Sequence, residues 1–257
     1  MIDILLPAFI ISLVLLGIHS YFGLRIIERN IIFTDLAIGQ MAAFGAAISL
    51  LLFDGGYIYI VSLSSAIVAG MMIYYLSKKT SYLEAVIGLI YALGFSGVYL
   101  LLSKSAHGAE EFQRLVAYDI LFTNMSDVLI TAILYACIAV IIKIFTKKIS
   151  EKYYDLFFFL AFAVTVTSSV KMAGVLVVFA ILLGPAFIAK RIHPVTAIPE
   201  LLRKNPLIIA WIVGTIINLL AIIISYKLDL PTGYSIVFLN ALVAVLFSFM
   251  KKKKEKV

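Results

Sequence analysis

Nine apolar stretches run through this chain, at roughly 4–24, 32–53, 57–77, 85–103, 126–146, 155–170, 172–189, 206–226 and 234–250. Each approaches the ~20 residues that a helix needs to cross about 30 Å of hydrocarbon. A backbone inside a bilayer must satisfy its own hydrogen bonds, and an isolated run of this length does so only as a helix. The expectation is an all-α, polytopic membrane bundle of about nine transmembrane helices. Eight is the alternative, because only the thin polar break Ser168-Ser169-Val170-Lys171 separates the sixth stretch from the seventh. In 257 residues that are 63% hydrophobic, nine spans leave no room for a soluble domain. Residues 1–257 therefore read as one transmembrane domain. The start, Met1-Ile2-Asp3-Ile4-Leu5-Leu6-Pro7, lacks the basic region of a signal peptide and reads as a retained first span.

Charge orients the bundle. Of 21 Lys and Arg residues, 17 fall in alternate connections. They are Arg25 and Arg29; Lys78 and Lys79; Lys143, Lys147, Lys148 and Lys152; Lys190, Arg191, Arg203 and Lys204; and Lys251 to Lys254 with Lys256. The opposite side keeps only Lys104, Arg114, Lys171 and Lys227. Positively charged loops stay in the cytoplasm, so the C-terminus is expected there and the N-terminus outside, in an inner or plasma membrane. Fusing the sixth and seventh stretches would lower the inside total to about 12, which favours nine spans. The net charge of +7 sits in short inside loops. Anionic lipid is its expected counterpart, and no nucleic-acid partner is expected.

Ionisable groups inside hydrocarbon are costly and by default mark a pathway or a buried partner. His19, Asp35, Glu84 and Lys171 qualify. Asp35 lies near the inner end of the second span, where it reads either as an N-cap or first-turn acid facing the positive helix end or as a carboxylate lining a cation path. Gln40 lies deeper in the same helix, about 140° around it, so the two cannot chelate one ion unless the helix unwinds. His19 reads as an interhelical hydrogen bonder or a transient ligand. Glu84 suits an interfacial ion pair, and Lys171 can extend its amine to the outer interface. Outside, His107, Glu110 and Glu111 form a cluster whose expected use is protein docking. Gly39, Ala42, Ala43, Gly45 and Ala46 give the second span a small-residue face for close helix contact. Gly184-Pro185 is a site for a kink in the seventh. The lone Cys137 forms no intrachain disulfide. No Gly-x-x-x-x-Gly-Lys-Ser/Thr loop, His-Glu-x-x-His helix or Gly-x-Ser-x-Gly elbow is present, so the chain itself is not expected to be an enzyme.

Four segments together resemble the permeases of metal-importing ABC transporters. They are Arg29 to Gly45, with Asp35-Leu36-Ala37-Ile38-Gly39-Gln40; Ser103 to Leu121, with Tyr118-Asp119-Ile120-Leu121; Met172 to Ala186; and Leu228-Asp229-Leu230-Pro231-Thr232-Gly233. The resemblance implies a permease homodimer, two cytoplasmic ABC ATPase subunits and an extracytoplasmic metal-binding protein. Its cargo would be a divalent transition metal such as zinc, manganese or iron, and no permanently bound cofactor is implied. The transport path would pass Asp35, Gln40 and His19, with Asp35 as the metal ligand and an inner gate. Residues 190–205, including Lys190, Arg191, His193, Pro194, Glu200 and Arg203, would dock into the ATPase. One departure is chemical: Gln40 stands where typical members carry a His, and an amide is a poorer ligand for such ions than imidazole. The competing readings are a stand-alone ion-coupled carrier, a membrane scaffold or enzyme without transport, and an ABC permease for a metal chelate or small cofactor.

Overall fold

The computed structural model describes residues 2–105, 110–111, 120, 123–145, 151–192 and 205–249. Among them the chain forms nine α-helices: α1 Ile2–Arg29, α2 Thr34–Phe53, α3 Ile58–Ser77, α4 Leu83–Leu102, α5 Met125–Phe145, α6 Glu151–Ala173, α7 Val175–Ile192, α8 Pro206–Leu228 and α9 Thr232–Ser248. Eight are long and apolar enough to cross a membrane, and α9 is a shorter apolar helix of 17 residues. The nine expected stretches thus each become one helix. Arg25 and Arg29, expected in a connection, instead form the end of α1, which runs several residues past the apolar stretch.

The helix ends follow from turn chemistry. Asn30, Asp54 and Asp229 close α1, α2 and α8 with φ of 54°, 49° and 51°, the left-handed region that Asn and Asp tolerate better than other side chains. Pro206 opens α8 at its first turn, where the missing N–H costs nothing, and Pro231 precedes α9.

One boundary departs from expectation. The break between α6 and α7 falls at Gly174, not at Ser168 to Lys171. The hydroxyls of Ser168 and Ser169 donate to the Thr165 carbonyl of their own helix at 2.8 and 2.6 Å, so this polar run remains helical. Gly174, with φ of 80°, supplies the conformation that ends it. Lys171 is exposed in the last turn of α6. At Gly184-Pro185 the helix assignment continues unbroken through α7.

Backbone contacts gather the chain into two compact units. One comprises residues 1–29, 119–129 and 177–257; the other comprises 30–118 and 130–176. In the first, α8 packs on both α1 and α9. The Trp211 indole donates to the Gly17 carbonyl of α1 at 3.0 Å, and Asn240 of α9 donates to Asn218 of α8 at 3.0 Å. In the second, α2 is the central helix, packed against α3, α4 and α6. Tyr135 joins α5 to α6 through Ser168 and Ser169. Much of the outward surface is apolar, including Leu89, Leu100, Leu129, Ile130 and Phe238, as lipid contact requires. Cys137 belongs to this exposed surface.

Candidate transport site around the second helix

The expected small-residue face of α2 turns out to be several faces. Ser62 of α3 donates its hydroxyl to the Ala42 carbonyl at 2.7 Å. A Cβ at Gly45 would lie 2.5 Å from the Val61 carbonyl oxygen. On the side of α4, a Cβ at Gly94 would lie 2.9 Å from the Gln40 carbonyl carbon, and one at Gly97 would lie 2.6 Å from the Phe44 ring. Gly39 meets Val166 and Val170 of α6 and Val175 at the start of α7. Small residues let α2 be enclosed without lengthening the helix–helix distances. The Gly94-x-x-Gly97 pair was a legible signal of this close approach, and sequence reasoning passed over it.

Asp35 sits in the first turn of this enclosed helix, only 1% exposed. Neither of its carboxylate oxygens has a hydrogen-bond partner among the described residues. It does not cap the helix, whose N-cap residue is Phe33. The hydroxyl of Thr34 and one oxygen of Glu84 are likewise buried without a partner. Glu84 was expected in an ion pair; instead its other oxygen accepts the Phe33 backbone N–H at 3.1 Å, tying the start of α2 to the first turn of α4. The N-terminus of a helix leaves such N–H groups unsatisfied, and a carboxylate from a neighbour meets that need. The residues at the entry to α2 thus carry buried oxygen donors, a ligand type that suits hard cations.

Gln40 is buried on the same helix, and α2 runs unbroken from Thr34 to Phe53. The condition for joint chelation by Asp35 and Gln40, an unwound helix, is absent here. His19 is buried in α1, where its Nδ1–H donates to the Leu15 carbonyl of its own helix at 2.9 Å. Among the described residues no three His, Cys, Asp or Glu side chains gather into a metal-holding group.

The other expected site residues divide unevenly. Glu110 and Glu111 lie in a helical turn, with Glu110 exposed, while His107 lies outside the described residues. Lys190 and Arg191 end α7. His193, Pro194, Glu200 and Arg203 lie outside the described residues. Sequence reasoning also passed over the neutral amides Asn218 and Asn240, both fully buried. Lone amides in apolar helices were the available signal.

The family model of the ABC 3 transport family matches residues 1–252, and the chain belongs to that family, the permeases of metal ABC transporters. It is a multi-pass membrane protein. Among solved structures, the chain is similar to PsaBC from Streptococcus pneumoniae in complex with Fab, with 20% identity, a TM-score of 0.77, and coverage of 98% of this chain and 94% of that one. It is also similar to an inward-facing conformation of a putative metal-chelate type ABC transporter, with 15% identity, a TM-score of 0.68, and coverage of 96% and 86%. At these identities the likeness is one of fold. A comparison with curated protein sequences finds no match.

Proposed function

We propose that this chain imports a divalent transition-metal ion as the permease of an ABC complex, working as a homodimer with two cytoplasmic ATPase subunits and an extracytoplasmic binding protein. The observation that carries the cargo assignment is Asp35, a buried carboxylate whose two oxygens have no partner among the described residues, at the entry to an enclosed helix. Such a group is expensive to keep in hydrocarbon, and a cation in transit is one way to compensate it. Holding must be weak, because a conduit releases what it binds.

The proposed path runs from an outer docking surface at His107, Glu110 and Glu111, past His19 and Gln40, to Asp35 as inner gate. Residues 190–205 receive the ATPase. Residues 1–257 act as a single permease domain, with the charge pattern placing Asp35 toward the cytoplasm. Gln40 supports a second reading, in which the cargo is a metal chelate, because an amide is a poorer ligand for a bare divalent transition-metal ion than imidazole.

Uptake of zinc, manganese and iron by cells carrying Asp35→Asn tests the assignment. The expected result is at least a tenfold loss of bare-ion uptake at unchanged protein level. Unchanged uptake of all three removes Asp35 from the path, and uptake only of a chelated form selects the second reading.

A further inference from the structure

The C-terminal ends of three helices are fastened together at the end of α7. Lys190 Nζ of α7 donates to Glu28 Oε1 of α1 at 2.5 Å, and the other Glu28 oxygen accepts from Arg25 at 3.3 Å. The Arg191 guanidinium donates to the carbonyl of Ser248, the last residue of α9, at 3.1 Å. That places a cation on the negative end of α9. Five residues before Glu28, α1 and α7 touch backbone to backbone: a Cβ at Gly23 would lie 2.1 Å from the Leu182 carbonyl oxygen and 3.0 Å from Ala186 Cβ. The two helices are thus held by shape at Gly23 and by charge at Glu28.

We propose that Glu28 is a positioning residue for energy coupling. It fastens α1 to the base of α7, so that a displacement of the segment following Ile192 is carried into α1 and not lost as bending of α7 alone. The inference rests on the reading of residues 190–205 as the ATPase-docking segment. Lys190 then faces inward to its own chain as well as leading into that segment. The Glu28 and Lys190 side chains are 42% and 33% exposed, so the pair adds little to stability. Its contribution is register: Lys190 from α7 and Arg25 from α1 converge on one carboxylate, which fixes the two helices against each other at that level.

The test uses the whole complex with its ATPase and binding protein in liposomes, with zinc and manganese as cargo. Three quantities are measured: ATPase retained, ATP hydrolysed, and ions moved per ATP. Glu28→Gln is expected to keep retention and hydrolysis within about twofold of wild type while ions moved per ATP fall at least fivefold. The conservative Glu28→Asp is expected to keep ions per ATP within about twofold of wild type, whereas Glu28→Lys does not. Unchanged ions per ATP in Glu28→Gln overturns the proposal, and so does a Glu28→Asp chain as poor as Glu28→Lys. A wild-type chain that retains no ATPase defeats the docking reading itself, and this inference with it. Wild-type coupling with undiminished coupling in Glu28→Gln defeats this inference alone.

Discussion

Asn218 and Asn240 show what a single polar side chain does in an apolar bundle. Both are fully buried, and Asn240 donates to Asn218 at 3.0 Å and to the Ile236 carbonyl of its own helix at 2.9 Å. A Cβ at Gly184 would lie 3.2 Å from Asn240 Oδ1, so α7 also closes on the pair. Hydrogen bonds between membrane helices contribute about 0.6 kcal/mol on average and at most about 1.7. Asn218→Leu should therefore cost stability on that scale. Asn240→Leu should cost less in the Asn218→Leu background than in the wild type, because the shared bond is already gone. A double-mutant cycle read by denaturant-dependent unfolding in detergent checks this, and strictly additive costs would refute the coupling. The Asp35 carboxylate is the opposite case, buried with no bond to give up, which is why its substitution should register in transport. Its residue type and helix were legible in the chain. Its isolation was not, because isolation depends on which neighbours fail to supply a donor.

At the scale of elements, the apolar stretches and the observed helices agree closely, since length and hydropathy alone decide what spans hydrocarbon. The misplaced α6–α7 boundary has a local cause. Polar Ser168 and Ser169 read as a break, but their hydroxyls bond Thr165 and Tyr135, while the actual break at Gly174 depends on backbone conformation. The small residues of α2 were legible as a packing surface, but not the number of helices they admit. Gly45 is the most sterically constrained of them toward α3, with Val61 O, Ser65 Oγ and Ser62 Cα all within 2.8 Å of an added Cβ. Gly45→Leu should force α2 and α3 apart and destabilise the protein by about 1–3 kcal/mol or more. Gly88→Leu, on open surface, should be nearly silent. Thermal unfolding in detergent compares the two, and equal losses would contradict the close α2–α3 approach.

For the whole molecule, orientation is the property that loop charges predict most directly. In a chain whose Cys137 is replaced by Ala, Tyr57→Cys should react with an impermeant maleimide in intact cells. Thr196→Cys should react only after permeabilisation. The reverse pattern would turn the bundle over and place Asp35 at the outer end of its helix. The sequence by itself determined the membrane class, the nine helices, the expected orientation and the resemblance to a transporter family. Those properties follow from composition, span length and loop charge, which act locally along the chain. Only the tertiary structure decided that α2 is enclosed by three helices, that Glu84 bonds the backbone at its start and that Asp35 has no partner among the described residues. It alone joined Glu28 to Lys190 across 162 residues of sequence. Such pairings depend on which helices become neighbours, and the apolar surfaces of membrane helices are too alike for hydropathy to specify that.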